Sequence, residues 1–190
     1  MRLGCVIMAA GSSSRFGSNK LLQEFDGKPL YRRALEAVPR ERFHRVCVVT
    51  GYASIAELAQ TMGFVTVWND CPELGVSHTI RLGLDGLTDC DGVLFMTADQ
   101  PLLTGQTLCR LAETFAEDGG IIAAAHNGKR GNPCLFPREF FEELTALAGD
   151  RGGSAVIRRH EDRLVLAELP AEALADIDTV EELRQMEETL

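Results

Sequence analysis

Residues 8–22 read Met8-Ala9-Ala10-Gly11-Ser12-Ser13-Ser14-Arg15-Phe16-Gly17-Ser18-Asn19-Lys20-Leu21-Leu22. The apolar run at residues 3–8 stops abruptly in small residues, two glycines then bracket an arginine, and a lysine precedes two leucines. Small side chains at Ala9, Ala10, Gly11, Ser12, Ser13 and Ser14 let main-chain N–H groups approach an anion closely. Arg15 and Lys20 add the fixed positive charge that a polyphosphate needs. The spacing is neither G-x-G-x-x-G nor the Gly-Lys-Ser/Thr ending of a Walker loop. An Ala-Gly-Ser turn alone is what many strand-to-helix connections carry, but a purely structural turn needs no pair of cations beside its glycines.

A second candidate is Asp99, which directly follows the apolar Val93-Leu94-Phe95-Met96 run and is stopped by Pro101. There a carboxylate either holds Mg²⁺ on phosphate oxygens or caps the following turn, and its place opposite a cationic loop favours the metal. Asp176 and Asp178 alternate with Ile177 in what reads as a strand end, which would put both carboxylates on one face while Thr179 caps the last helix. Taken from the residues alone, that acidic cluster is a capping arrangement. His78 and His126 have no paired ligand spacing and are read as surface or loop histidines, and Asp150 as the organiser of its glycine-rich turn. The six cysteines contain no C-x-x-C pair, so reduced, mostly buried thiols are expected and zinc is not.

These residues need a scaffold that brings them together. Apolar runs at 3–8, 45–50, 64–68, 92–97 and 120–125 alternate with helix-period segments at 30–38, 54–62, 76–87 and 104–116, with Pro29 opening the first helix and Thr104 as a helix N-cap. This alternation predicts a Rossmann-like, doubly wound α/β fold, a mostly parallel sheet with helices on both faces. In such a sheet the ligand crevice lies outside the carboxyl ends of the strands. The loop at 11–20, the stretch from Asn69 to Ser77 and the turn at 98–101 should therefore face one crevice. Past residue 125 the expected pattern is a turn-rich cationic loop at 126–133, a short strand at 134–136, a helix at 138–147, a strand near 164–166 and an acidic terminal helix.

At 190 residues, with 45% hydrophobic content, the chain suits one domain spanning 1–190. No signal peptide or membrane-length apolar segment is visible, so a cytoplasmic protein without membrane contact is expected. The net charge of −9 argues against a nucleic-acid groove, and the few scattered aromatics offer no stacking platform. The charge is uneven: residues 1–50 hold nine Lys/Arg against four Asp/Glu. That basic part contains the glycine loop, which suits a small polyanionic ligand.

The loop resembles the A-A-G-x-S-x-R-hydrophobic-G-x-x-K-L-L signature of the molybdopterin nucleotidyltransferases. Later landmarks fall in register. Asn69 and Gly75, with Ser77 and Thr79 near the serine position, resemble N-P-x-x-x-G-x-x-x-S, although the proline is displaced to Pro72. Ala98-Asp99-Gln100-Pro101 resembles G-D-x-P with alanine for glycine. Gly131-Asn132-Pro133 resembles G-H-P or G-N-P, Gly149-Asp150-Arg151-Gly152 resembles G-D-x-G, and 176–183 resembles D-I-D-T-x-E-D-L. Within the family, Ala9-Ala10-Gly11 and the final aspartate motif look like the cytidylyltransferase branch, which favours CTP over GTP.

The resemblance implies attack by a terminal phosphate oxygen of molybdopterin on the α-phosphorus of CTP, with release of pyrophosphate. No protein nucleophile is required, since transfer to an acceptor that is already an anion needs positioning and charge neutralisation. It implies that Arg15, Lys20 and Asp99 are catalytic, that Asp99 and Asp178 share Mg²⁺, and that residues 9–15 with Lys20, Asn69, Gly75 and Ser77 bind the nucleotide. Gly131, Asn132 and Pro133 would contact the acceptor. Lys129 and Arg130 either grip its phosphate or form a solvated turn. A molybdenum hydroxylase is the expected recipient. The rival readings are guanylyl or sugar-phosphate nucleotidyl transfer on the same fold, and a nucleotide-binding chaperone that delivers the cofactor without turnover.

Overall fold

A computed structural model of the chain describes residues 1–11 and 19–188. Among them, seven strands form the main sheet: β1 (Leu3–Ala9), β2 (Arg45–Thr50), β3 (Val65–Trp68), β4 (Gly92–Thr97), β5 (Ile121–His126), β6 (Lys129–Pro137) and β7 (Leu164–Glu168). Their order across the sheet is β3-β2-β1-β4-β6-β5-β7. All pair in parallel except β6, which runs antiparallel to both β4 and β5. The fold is the expected Rossmann-like, mostly parallel α/β sheet with helices on both faces.

Period-2 alternation along each strand divides two cores. Cys5, Ile7 and Ala9 of β1 face a cluster built with α1 (Leu30–Glu36), α2 (Ala53–Thr61) and α4 (Gly105–Asp118). Val6 faces the other side, where α3 (Val76–Asp85), α5 (Phe141–Thr145) and α6 (Ser154–Ile157) pack. Thr104 caps α4 as expected, its hydroxyl accepting from the Thr107 N–H at 3.3 Å. Two short helices complete the chain, α7 (Ala171–Leu174) and α8 (Val180–Glu188).

Two expectations are corrected. Residues 126–133 are not a loop: only Asn127 and Gly128, at φ 50° and 73°, turn, and the chain enters β6 at once. Asn-Gly with both residues at positive φ is a tight hairpin turn whose twist matches that of the flanking strands. The register then shifts between Ala123 and Ala125, where β6 accommodates Gly131, Asn132 and the cis-linked Pro133. The segment 175–178 is not a strand end either. It is pinned from beneath: Ile177 is fully buried among Phe25, Leu30 and Leu183, and its N–H donates to the Asp99 carbonyl at 3.0 Å.

Candidate active site

Strand β4 delivers the central carboxylate. Its apolar residues are buried on both faces, and the chain breaks into a turn at the sheet's carboxyl edge, presenting Asp99. Lys20 arrives from a single 3-10 turn, Lys20–Leu22, which Asn19 caps by accepting from the Leu21 N–H at 3.0 Å while Leu21 anchors it in the core. The Lys20 ammonium lies 2.7 Å from Asp99 Oδ2 and 3.0 Å from Asp178 Oδ1, and donates to the Ile177 carbonyl at 2.9 Å. Residues 157 and more positions apart in sequence thus meet at one point. Burial alone would pull the Lys20 pKa down; the hydrogen bonds and charges of Asp99 and Asp178 outweigh it and hold the group above the ordinary lysine value.

Asp178 is available for this because the helix end is capped by others. Thr179 Oγ1 accepts from the Glu182 N–H at 3.2 Å, and the Glu182 carboxylate accepts from the Thr179 and Asp178 N–H groups at 2.9 and 2.8 Å, a capping box.

Beside this cluster opens a cavity of about 640 Å³. Met8 and Thr97 at the ends of β1 and β4 line it, as do Lys129, Arg130, Gly131 and Asn132 from the start of β6, and Gly152 and Gly153 from the glycine-rich turn. The antiparallel direction of β6 explains the cations: the start of this strand, not its end, overhangs the carboxyl edge of β4. Ile80, Phe95, Phe136 and Ile157 supply apolar surface. Asp176 lines the cavity on the side of the lysine cluster. Desolvation, and then the charges of Asp99 and Asp178, push its carboxyl above the ordinary aspartate value.

The remaining candidate residues lie in different surroundings. Asn69 is buried, its amide donating to Thr79 Oγ1 at 3.2 Å and its carbonyl oxygen accepting from the Cys71 N–H at 3.1 Å, so its side chain fastens the loop to α3. Ser77 is also fully buried, and its N–H donates to the Gly149 carbonyl at 3.1 Å. Gly75 has φ 83°, and a Cβ there would lie 2.5 Å from the Gly149 carbonyl carbon, so glycine locks this loop against the turn at 149–153. Ala9 and Ala10 are buried, Gly11 is exposed with its carbonyl accepting from Tyr52 Oη at 3.1 Å, and Pro133 is buried behind Asn132. Ser12, Ser13, Ser14 and Arg15 lie outside the described residues. His126 bonds the Leu169 carbonyl through Nδ1 at 2.9 Å, a structural contact. Burial pushes the Cys134 thiol, on the cavity wall, up to about 12, which disfavours its thiolate form.

Sequence reasoning passed over Gln100. It is buried, and its amide donates to the Asn132 and Leu174 carbonyls, both at 3.1 Å, tying the Asp99 turn to β6 and α7. The signal was the unspecified position inside the A-D-x-P turn.

A divalent cation fits these residues. Asp99 Oδ1 is buried with no hydrogen-bond partner among the described residues, and two carboxylates and a main-chain carbonyl converge on the point that the Lys20 ammonium fills. Among the described residues no group of three or more His, Cys, Asp and Glu could hold a metal by itself. Mg²⁺ keeps several waters and takes one or two carboxylates, so the pair suffices.

Residues 5–164 match the model of a family described as the MobA-like NTP transferase domain. A curated relative, the bifunctional protein GlmU of Cutibacterium acnes, is 32% identical over 62% of this chain and 29% of its own length. The chain spans under a third of that relative. A nucleotidyl transferase from Methanothermobacter shares the fold at a TM-score of 0.83 and 22% identity, over 99% of this chain and 97% of the other. A Mycobacterium tuberculosis protein solved in complex with manganese does so at 0.81 and 22%, over 100% of both chains. No helix among the described residues is long and apolar enough to cross a membrane.

Proposed function

We propose, from the premise that this chain belongs to the MobA-like NTP transferase domain family, that it is a nucleotidyltransferase joining CMP from CTP to the phosphate of molybdopterin. The observation that carries the reading is the Lys20–Asp99–Asp178 cluster at the sheet's carboxyl edge, set beside a cavity of about 640 Å³ that Lys129 and Arg130 line. One side suits a triphosphate and the other an anionic acceptor. Amides of Gly11, Ser12, Ser13 and Ser14, with Arg15 and Lys20, neutralise and orient the phosphates of the nucleotide. Lys129 and Arg130 hold the acceptor phosphate, one oxygen of which attacks the α-phosphorus in line as pyrophosphate leaves. Mg²⁺ held by Asp99 and Asp178 would stabilise the charge that develops on the phosphates. The choice of CTP over GTP rests on Ala9-Ala10-Gly11, and the product would pass to a molybdenum hydroxylase.

The test is pyrophosphate release with each of the four NTPs and molybdopterin. Turnover with CTP, reduced by orders of magnitude in Asp99→Ala that still folds, is the expected result. Turnover with GTP alone overturns the assigned base, and no turnover with any NTP overturns the transferase assignment.

A further inference from the structure

The lysine assigned to the phosphates is already engaged with the metal's ligands. Three oxygens, from Asp99, Asp178 and the Ile177 carbonyl, lie 2.7 to 3.0 Å from its ammonium. Two carboxylates and a carbonyl around one point are the hard donor set of a divalent cation. Their convergence does not depend on the lysine: the Ile177 N–H holds the Asp99 carbonyl, and the Ile177 side chain is fixed among Phe25, Leu30 and Leu183. The notch would therefore persist if the ammonium left. An ammonium and a divalent cation cannot share it, because like charges so close repel strongly at the modest effective dielectric of a half-buried site. The Lys20 stem, four methylenes long, lets its head swing out while Leu21 stays anchored.

We infer that the Lys20 ammonium is an internal stand-in for the metal, competing for the same oxygens, so that the metal enters together with the nucleotide whose phosphates draw the lysine away. This rests on the nucleotidyltransferase reading for the identity of the phosphates. Its consequence is an order of events: the bare protein binds metal weakly, the nucleotide makes the site, and one residue serves first as plug and then as phosphate ligand.

The probe is Mn²⁺, with free ion counted by electron paramagnetic resonance. In the absence of nucleotide, Lys20→Met should bind Mn²⁺ on the order of tenfold more tightly than the unaltered protein, the value of one charged hydrogen bond removed from the competition. Adding Asp99→Asn to that variant should abolish the gain. The unaltered protein should take up Mn²⁺ strongly only with the α,β-methylene analogue of CTP. Equal Mn²⁺ affinity of Lys20→Met and the unaltered protein overturns the inference. If Lys20→Met fails to fold, Lys20→Gln replaces it; tight Mn²⁺ binding by the unaltered protein alone, unimproved by the analogue, also overturns it. The two readings fail separately: pyrophosphate release without the Mn²⁺ gain leaves the transferase assignment standing, and the gain without turnover leaves only the exchange.

Discussion

Replacing Lys20 by Met and Asp99 by Asn, singly and together, measures whether the cluster holds in solution. Both side chains are about 15% exposed and their charged atoms are 2.7 Å apart. Fully exposed pairs contribute roughly 0.2–1 kcal/mol, and breaking a fully buried one costs about 3–5 kcal/mol. This pair lies between, near the ~1.5–3 kcal/mol of a charge-assisted hydrogen bond. The singles are unequal. Asp99→Asn leaves the lysine with Asp178 and the Ile177 carbonyl and relieves Asp176, so it costs about 1 kcal/mol. Lys20→Met leaves crowded carboxylates without their cation and costs about 2–4 kcal/mol, a fall in Tm of roughly 4–16 °C for a chain of this size. The double variant should fall short of the sum by ~1.5–3 kcal/mol. Urea unfolding with EDTA present gives all three values, provided the slope m is unchanged. A coupling below about 0.5 kcal/mol would refute the pairing, and with it the exchange built on it.

Alanine at both Lys129 and Arg130 should raise the KM for the phospho-acceptor by roughly tenfold or more while the KM for the nucleotide stays put, as steady-state kinetics would show. Gly75→Ala forces a Cβ into the left-handed region and against the Gly149 backbone, and should cost about 2–4 kcal/mol, read as a lower urea midpoint. Asp176 has its folded pKa raised, so its protonation favours the fold and stability rises as pH falls through that value toward the ordinary aspartate pKa. Asp176→Asn should therefore raise Tm at pH 7 and remove that acid-side gain; because the group is exposed the effect stays below ~1 kcal/mol, a few degrees.

The parallel part of the fold was legible because its strands are apolar runs buried on both faces and its helices show one apolar stripe. The start of β6 was not, since Lys129, Arg130, Gly131, Asn132 and Pro133 overhang the sheet and carry neither alternation nor β-formers. The Asn127-Gly128 pair was the available hairpin signal and was absorbed into a loop. At the site, residue types were informative and directions were not. Asn69 and Ser77 fall after a strand, where ligands gather, yet both are buried: the Asn69 side chain bonds the Cys71 N–H and Thr79, and the Ser77 hydroxyl has no partner among the described residues. Asp176 and Gln100 stand in quoted motifs, but their roles come from neighbours brought by distant segments. The convergence of Lys20 on Asp178 depends on Ile177 docking under the carboxyl edge, which no local pattern encodes.

The reversed direction of β6 brings cavity residues from a part of the chain remote from the loops that follow β1 and β4. Met8 and Thr97 come from the ends of β1 and β4, whereas the cavity's cations Lys129 and Arg130 open β6, just past the two-residue turn that follows β5. That turn can be lengthened or rewritten without touching a parallel strand. On the proposed reading, remodelling that one ribbon would change the phospho-acceptor and leave the nucleotide chemistry intact.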